Sequence, residues 1–137
     1  MANTIAVEVR QVGRATSEAI MREHRVLVDR PVEKGGENRG PLGGELFLAA
    51  FGGCFMSNLL AAIRAREAPV ANVRAEISGT LAEAPSRFSA IAVTVSAECP
   101  DRELLEKLVG IAERGCIVTN TLRGAVELTI EVAEPAG

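Results

Sequence analysis

Three thiols stand at positions 54, 99 and 116 of a 137-residue chain, and two of them have neighbours that could support chemistry. Cys54 lies in Gly52-Gly53-Cys54-Phe55-Met56-Ser57-Asn58, inside the longest stretch without a charge, Leu46 to Ile63. Glycine costs about 1 kcal/mol relative to alanine in a helix interior, so two in a row need a reason. Close approach of another backbone is one reason, and room beside a sulfur for a small substrate is another. A free cysteine is also a good space-filler, and that reading stays open for Cys54. Cys116 follows the glycine expected to end a helix, with Arg114 and Arg123 close in sequence. A thiol at such a helix end is expected to be accessible and able to move. Cys99 shares parity with Ile91, Val93 and Val95 and is expected to point at the core as passive filler.

Composition removes several other chemistries. An odd cysteine count with no export segment fits a reducing compartment, where a disulfide is transient rather than structural. The N-terminal residues Met1 to Val12 lack a basic segment followed by an apolar one, so a cytoplasmic chain is expected. A formal net charge of −3, no Trp or Tyr and four Phe argue against nucleic-acid partners. His24 is the single histidine and has no evident orienting partner for a Cys-His hydrolase. No close Cys/His spacing suits zinc, no Gly-x-Ser-x-Gly elbow occurs, and neither metal nor cofactor is expected. Residues 30–44 are rich in Gly and Pro but no Lys-Ser or Lys-Thr follows, so they read as an ordered loop, not a phosphate cradle.

The elements that would position these thiols follow from periodicity. Ala71, Val73, Ala75, Ile77 and Leu81 alternate with polar residues, as do Ile91 to Cys99 and Val126 to Val132. Ile5, Val7 and Val9 begin a similar strand, and Arg25 to Asp29 a shorter one. Alternation of this kind predicts antiparallel sheets with one wet and one covered face. Two helices are expected to cover them: one from about Gly44 to Glu67, and one after Pro100 to Gly115 with Asp101 as N-cap. The second carries its apolar stripe on Leu104, Leu105, Leu108, Ile111 and Ala112. The order predicts a single α+β domain over residues 1–137. The eighteen uncharged residues meet the length of a membrane span, but six are Ala or Gly and two are Ser57 and Asn58, in a chain of half-polar strands, and a core helix is expected. Because that helix is apolar nearly all round, it is expected to pack against a second copy in an intimate homodimer.

Two stretches resemble one family. Gly40-Pro41-Leu42-Gly43-Gly44-Glu45-Leu46 leading to Gly52-Gly53-Cys54-Phe55 is similar to the helix entry and first cysteine of OsmC/Ohr-like proteins. Cys116-Ile117-Val118-Thr119-Asn120-Thr121-Leu122 resembles the family's second motif, commonly Cys-Pro-Val-Ser-Asn-Thr-Leu, with Ile117 in place of the proline. The two cysteines are 62 positions apart (116 minus 54), with strands and a helix between them in the family's order. The preceding "GGENRGP" looks like the family's less characterised branch. The resemblance implies an OsmC-like fold, an intertwined homodimer, and thiol-dependent reduction of organic hydroperoxides, possibly hydrogen peroxide too, with a lipoyl-type dithiol as reductant. It also implies Cys54 as the attacking cysteine, Cys116 as the resolving one, Glu45 as the site carboxylate and Arg14 as the site cation, with Arg10 or Arg39 as substitutes. Glu45 stands nine residues before Cys54, as in the less characterised branch; the better studied reductases have it ten before, where this chain has Gly44.

That chemistry suits these residue types. A guanidinium favours the thiolate that a buried environment disfavours, and a carboxylate orients the guanidinium. The thiolate takes the outer peroxide oxygen to become a sulfenic acid, which a second thiol converts to a disulfide. One further constraint comes from helix geometry. Nine residues on one helix correspond to about 13.5 Å of rise and half a turn, so Glu45 cannot reach its own Cys54. Either the helix starts after Glu45 or the carboxylate beside a given Cys54 comes from the other subunit. A non-enzymatic binding or redox-sensing module on the same fold is the alternative reading.

Overall fold

Five residues separate Gln11 from Ser17, and the chain reverses within them, beginning a three-stranded meander. The computed structural model describes residues 3–134, and its contacts divide the chain into two compact units, Met1–Phe47 and Leu48–Gly137. In the first, β1 (Glu8–Gln11), β2 (Ser17–Met21) and β3 (His24–Val28) pair antiparallel in sequence order. Ala19 at the centre of β2 is buried, whereas Ile5, Val7 and Val9 are 88%, 60% and 60% exposed. The strand expected to begin at Ile5 is corrected: β1 starts only at Glu8, Ile5 and Val7 precede it, and these apolar side chains are uncovered in the isolated chain.

The glycine-rich loop after β3 is ordered around one buried carboxylate. Asp29 accepts from the backbone N–H of Arg30 (2.7 Å), Arg39 (3.2 Å) and Glu37 (3.3 Å) and from the Thr16 hydroxyl (2.9 Å). Gly36 is required here, because a Cβ would overlap the Arg30 carbonyl. The loop delivers the chain to α1 (Gly43–Ala65), whose first turn is closed by Leu46 N–H donating to the Leu42 carbonyl at 2.9 Å. α1 is the one helix among the described residues long and apolar enough to cross a membrane, and Phe51, Gly52, Phe55, Leu59 and Ala62 bury its face in a core.

The second unit holds the rest of α1, then β4 (Ala71–Ala82), β5 (Arg87–Glu98), α2 (Arg102–Gly115), α3 (Ile117–Leu122) and β6 (Glu127–Val132). β5 is central, with β4 antiparallel on one side and β6 parallel on the other. The purely antiparallel expectation is thus corrected: two helices intervene between β5 and β6, which is the length of connection a parallel neighbour needs. The fold is α+β with two small sheets and three helices among the described residues, as the order of elements predicts in outline. Ile91, Val93 and Val95 of β5 are buried on one face. They share a core with Phe51, Phe55, Leu59 and Ala62 of α1 and Leu105, Leu108, Val109 and Ala112 of α2. Leu81, placed by parity on that face, is 73% exposed because the ladder slips at Thr80/Leu81, a bulge that turns the following residues over.

α2 begins as its sequence predicts, with the Asp101 carboxylate accepting from Leu104 N–H at 3.2 Å. Its first residue is also its tie to the sheet. Arg102 donates to the carbonyls of Ala133 (2.7 Å) and Val132 (3.1 Å) beyond and at the end of β6.

Candidate functional site

Cys54 and Cys116 lie with their sulfurs 3.4 Å apart. Two elements bring them together. Cys54 lies three turns into α1, one residue off the buried Phe51–Phe55 face, and is half-buried. Cys116 is fully buried and belongs to two helices at once: its N–H donates to Glu113 O at the end of α2, and its carbonyl accepts Asn120 N–H at the start of α3. With φ −82° and ψ 116° it is the extended hinge between them. The expectation that a thiol past Gly115 would be accessible is corrected here. Cys116 belongs to the buried core with residues of α1, β5 and α2, and Val118 and Leu122 of α3 pack against that core, so the residue is 0% exposed.

The glycines explain how the sulfurs can approach. A Cβ on Gly52 would lie 2.6 Å from Ile77 Cδ1 of β4, so this glycine serves the close seating of α1 on the sheet. A Cβ on Gly53 would meet nothing within 4 Å. The close backbone approach anticipated for the pair is not what Gly52 meets, since its neighbour is the Ile77 side chain, and Gly53 faces open space. Gly115 plays a third role, since a Cβ there would stand 3.2 Å from Asn58 Oδ1. Asn58 in turn donates to the Cys54 carbonyl at 2.9 Å, linking the turn below Cys54 to the end of α2.

Electrostatics act on Cys116. Burial pushes the Cys116 thiol up, but the hydroxyl and N–H of Thr119, the Cys54 thiol and the Val118 N–H together hold it below its ordinary value. No capping hydrogen bond to the neutral thiol forms, and the Thr119 hydroxyl is fully buried without a hydrogen-bond partner. The neutral Cys116 thiol donates to the Cys54 sulfur at 3.4 Å, and it is the Thr119 hydroxyl that stays free to turn toward an ionised sulfur. Thr119 was not singled out by sequence reasoning. The signal that could have found it is its place three residues after a helix-opening Cys116, where side chains of the cap and the third helical residue face each other.

The other expected site residues lie in the first unit. Glu45 accepts the Leu42 N–H at 2.8 Å, the carboxylate half of a capping box, and α1 begins ahead of it at Gly43. Arg14 stands in the bend between β1 and β2, Arg10 pairs with Glu18 at 3.3 Å, and Arg39 donates its N–H to Asp29. Cys99 packs against the second unit's core and directs its thiol to the Asp101 carbonyl at 3.2 Å. No group of three or more His, Cys, Asp or Glu able to hold a metal occurs among the described residues.

A helix-borne thiol beside a thiol at a helix junction, in an α+β frame of two small sheets, defines a class. The chain belongs to the OsmC-like protein family, whose model matches residues 35–131. Among solved structures it is similar to an OsmC-like protein from Mycoplasma pneumoniae, at 15% identity and TM-score 0.84 over 97% of this chain and 98% of that one. It is similar also to an organic hydroperoxide resistance protein OsmC from Legionella pneumophila, at 20% identity and TM-score 0.75 over 98% and 99%. A third is the organic hydroperoxide resistance protein OhrB of Bacillus subtilis, at 22% identity and TM-score 0.69 over 96% and 98%. No curated protein sequence matches the chain.

Proposed function

We propose that this protein is a thiol peroxidase that reduces organic hydroperoxides in the cytoplasm. The observation that carries the reading is the pair of sulfurs 3.4 Å apart, one half-buried and one buried. Cys54 is the attacking residue, being the one with space beside it at Gly53. Its thiolate takes the outer peroxide oxygen, the O–O bond breaks, and the alcohol leaves with a proton. Cys116 then attacks the Cys54 sulfenic acid, water departs, and a disulfide forms. An external dithiol, of lipoyl type in this reading, restores both thiols. Membership in a family whose relatives of this fold include hydroperoxide resistance proteins supports the substrate class.

Arg14 and Glu45 are assigned as the activating cation and its anchor from their positions in the family pattern. With α1 begun ahead of Glu45, the carboxylate serving a given Cys54 comes from a second copy, and the working form is a homodimer. Large apolar side chains left exposed in the single chain, Leu60 (45%), Val7 and Val9 among them, are consistent with such a partner. The test is consumption of cumene hydroperoxide with dihydrolipoamide. Wild type should consume it and Cys54→Ser should not; equal, negligible rates would replace the enzyme by a binding or sensing module. Peptide mapping after one equivalent of hydroperoxide should recover Cys54 joined to Cys116.

A further inference from the structure

A buried hydroxyl with no hydrogen bond is rare, because leaving one unmade costs about 1–3 kcal/mol. Thr119 Oγ1 is such a group: its residue is 0% exposed and the hydroxyl has no partner in the dithiol state. In a helix a threonine usually donates to the carbonyl one turn back. Here it does not, and it stands three residues after Cys116, whose sulfur is equally buried. The natural acceptor in that enclosure is a sulfur that has lost its proton.

We infer that Thr119 is a positioning residue that receives the charge on Cys116 when the Cys54–Cys116 disulfide is opened, and so directs the reductant to Cys54. The inference rests on the disulfide cycle proposed above. In the step, a thiolate of the dithiol attacks Cys54 Sγ, the S–S bond breaks, and its electron pair passes to Cys116 Sγ. The product is a mixed disulfide on Cys54 and a Cys116 thiolate held by the Thr119 hydroxyl. The second thiol of the reductant then attacks the reductant's own sulfur in the mixed disulfide. Cys54 leaves as thiolate, the reductant closes to a cyclic disulfide, and two electrons have passed to the protein. Accessibility agrees with this polarity, because Cys54 is half-buried and Cys116 fully so. The groups around Cys116 also hold its thiol below its ordinary value, which makes its sulfur a better leaving group. The titratable group bearing on Cys116 from α1 is Cys54. Of the charged side chains nearest in sequence, Arg114 at the end of α2 is exposed, and Glu113 of α2 and Arg123 after α3 pair with each other at 3.4 Å.

Thr119→Val keeps the shape and removes the hydroxyl, while Thr119→Ser keeps the hydroxyl. Both are made in wild type and in a Cys54→Ser, Cys99→Ser background that leaves Cys116 as the single thiol. In that background, iodoacetamide reactivity against pH should show Cys116 ionising at higher pH in Thr119→Val and unchanged in Thr119→Ser. In the full chain oxidised with diamide, dihydrolipoamide should open the disulfide roughly tenfold more slowly in Thr119→Val at neutral pH, with Ser near wild type. A monothiol should be trapped on Cys54. Wild-type titration and opening rates in Thr119→Val, or a monothiol trapped on Cys116, would overturn the inference. Diamide supplies the oxidant independently of any peroxide. A protein that consumed no hydroperoxide yet showed these Thr119 effects would sink the peroxidase reading alone.

Discussion

At the scale of single residues, the two sulfurs differ in kind, and their substitutions should differ too. Cys54→Ser removes the attacking group and should reduce hydroperoxide consumption to background. Cys116→Ser should leave the first turnover intact and stop the cycle, so that a sulfenic-acid probe such as dimedone accumulates on Cys54. Asp29 gives a separate prediction. Its burial alone would raise its pKa, but the N–H groups of Arg30 and Arg39, the Thr16 hydroxyl and the Glu37 N–H hold it below its ordinary value. A carboxyl with a depressed folded pKa stabilises above its unfolded pKa, near 3.9, and that contribution is lost as pH falls through the folded one. Asp29→Asn should therefore melt lower than wild type at pH 7, and the gap should close below about pH 4 in thermal melts from pH 7 to 3. Asp29 was invisible in sequence because nothing local marks it: its donors lie one, eight and ten residues on and thirteen back. Cys54 and Cys116 were legible only through the family motif, since 62 positions of separation say nothing about proximity.

At the scale of elements, the long helices and strands were readable and the short ones were not. α2 announces itself through Asp101, a stripe of apolar residues and Gly115, and it spans Arg102–Gly115. α3 is six residues of Ile, Val, Thr, Asn and Leu, poor helix formers on the whole, and its helicity comes from packing over Cys116. Strand alternation located β4, β5 and β6 but not their directions, and a bulge at Thr80/Leu81 broke the parity. The glycine pair in α1 makes a paired prediction. Gly53→Ala meets open space in the single chain and should raise Tm through helix propensity, worth about 0.5–1 kcal/mol. If the space beside Cys54 serves substrate or a second copy, turnover falls while Tm rises. Gly52→Leu drives side-chain atoms into Ile77 and should lower stability by about 1–3 kcal/mol, read by urea denaturation.

At the scale of the whole molecule, an apolar α1 and uncovered Ile5, Val7 and Val9 lead to one expectation: sedimentation should give a dimer. Mixing Cys54→Ser with Glu45→Ala subunits should then restore activity, because heterodimers contain one intact combination; no recovery would place each site within one chain. The burial of Cys116 has another use. A sulfhydryl that solvent does not reach in the folded chain can be alkylated only when the core around it opens. Its labelling rate, followed by mass spectrometry in the Cys54→Ser, Cys99→Ser background, thus becomes a clock for that local breathing. In wild type, which keeps Cys54, oxidation to the disulfide would cross-link Cys116 to α1, so the molecule should be stiffest at the moment it waits for its reductant.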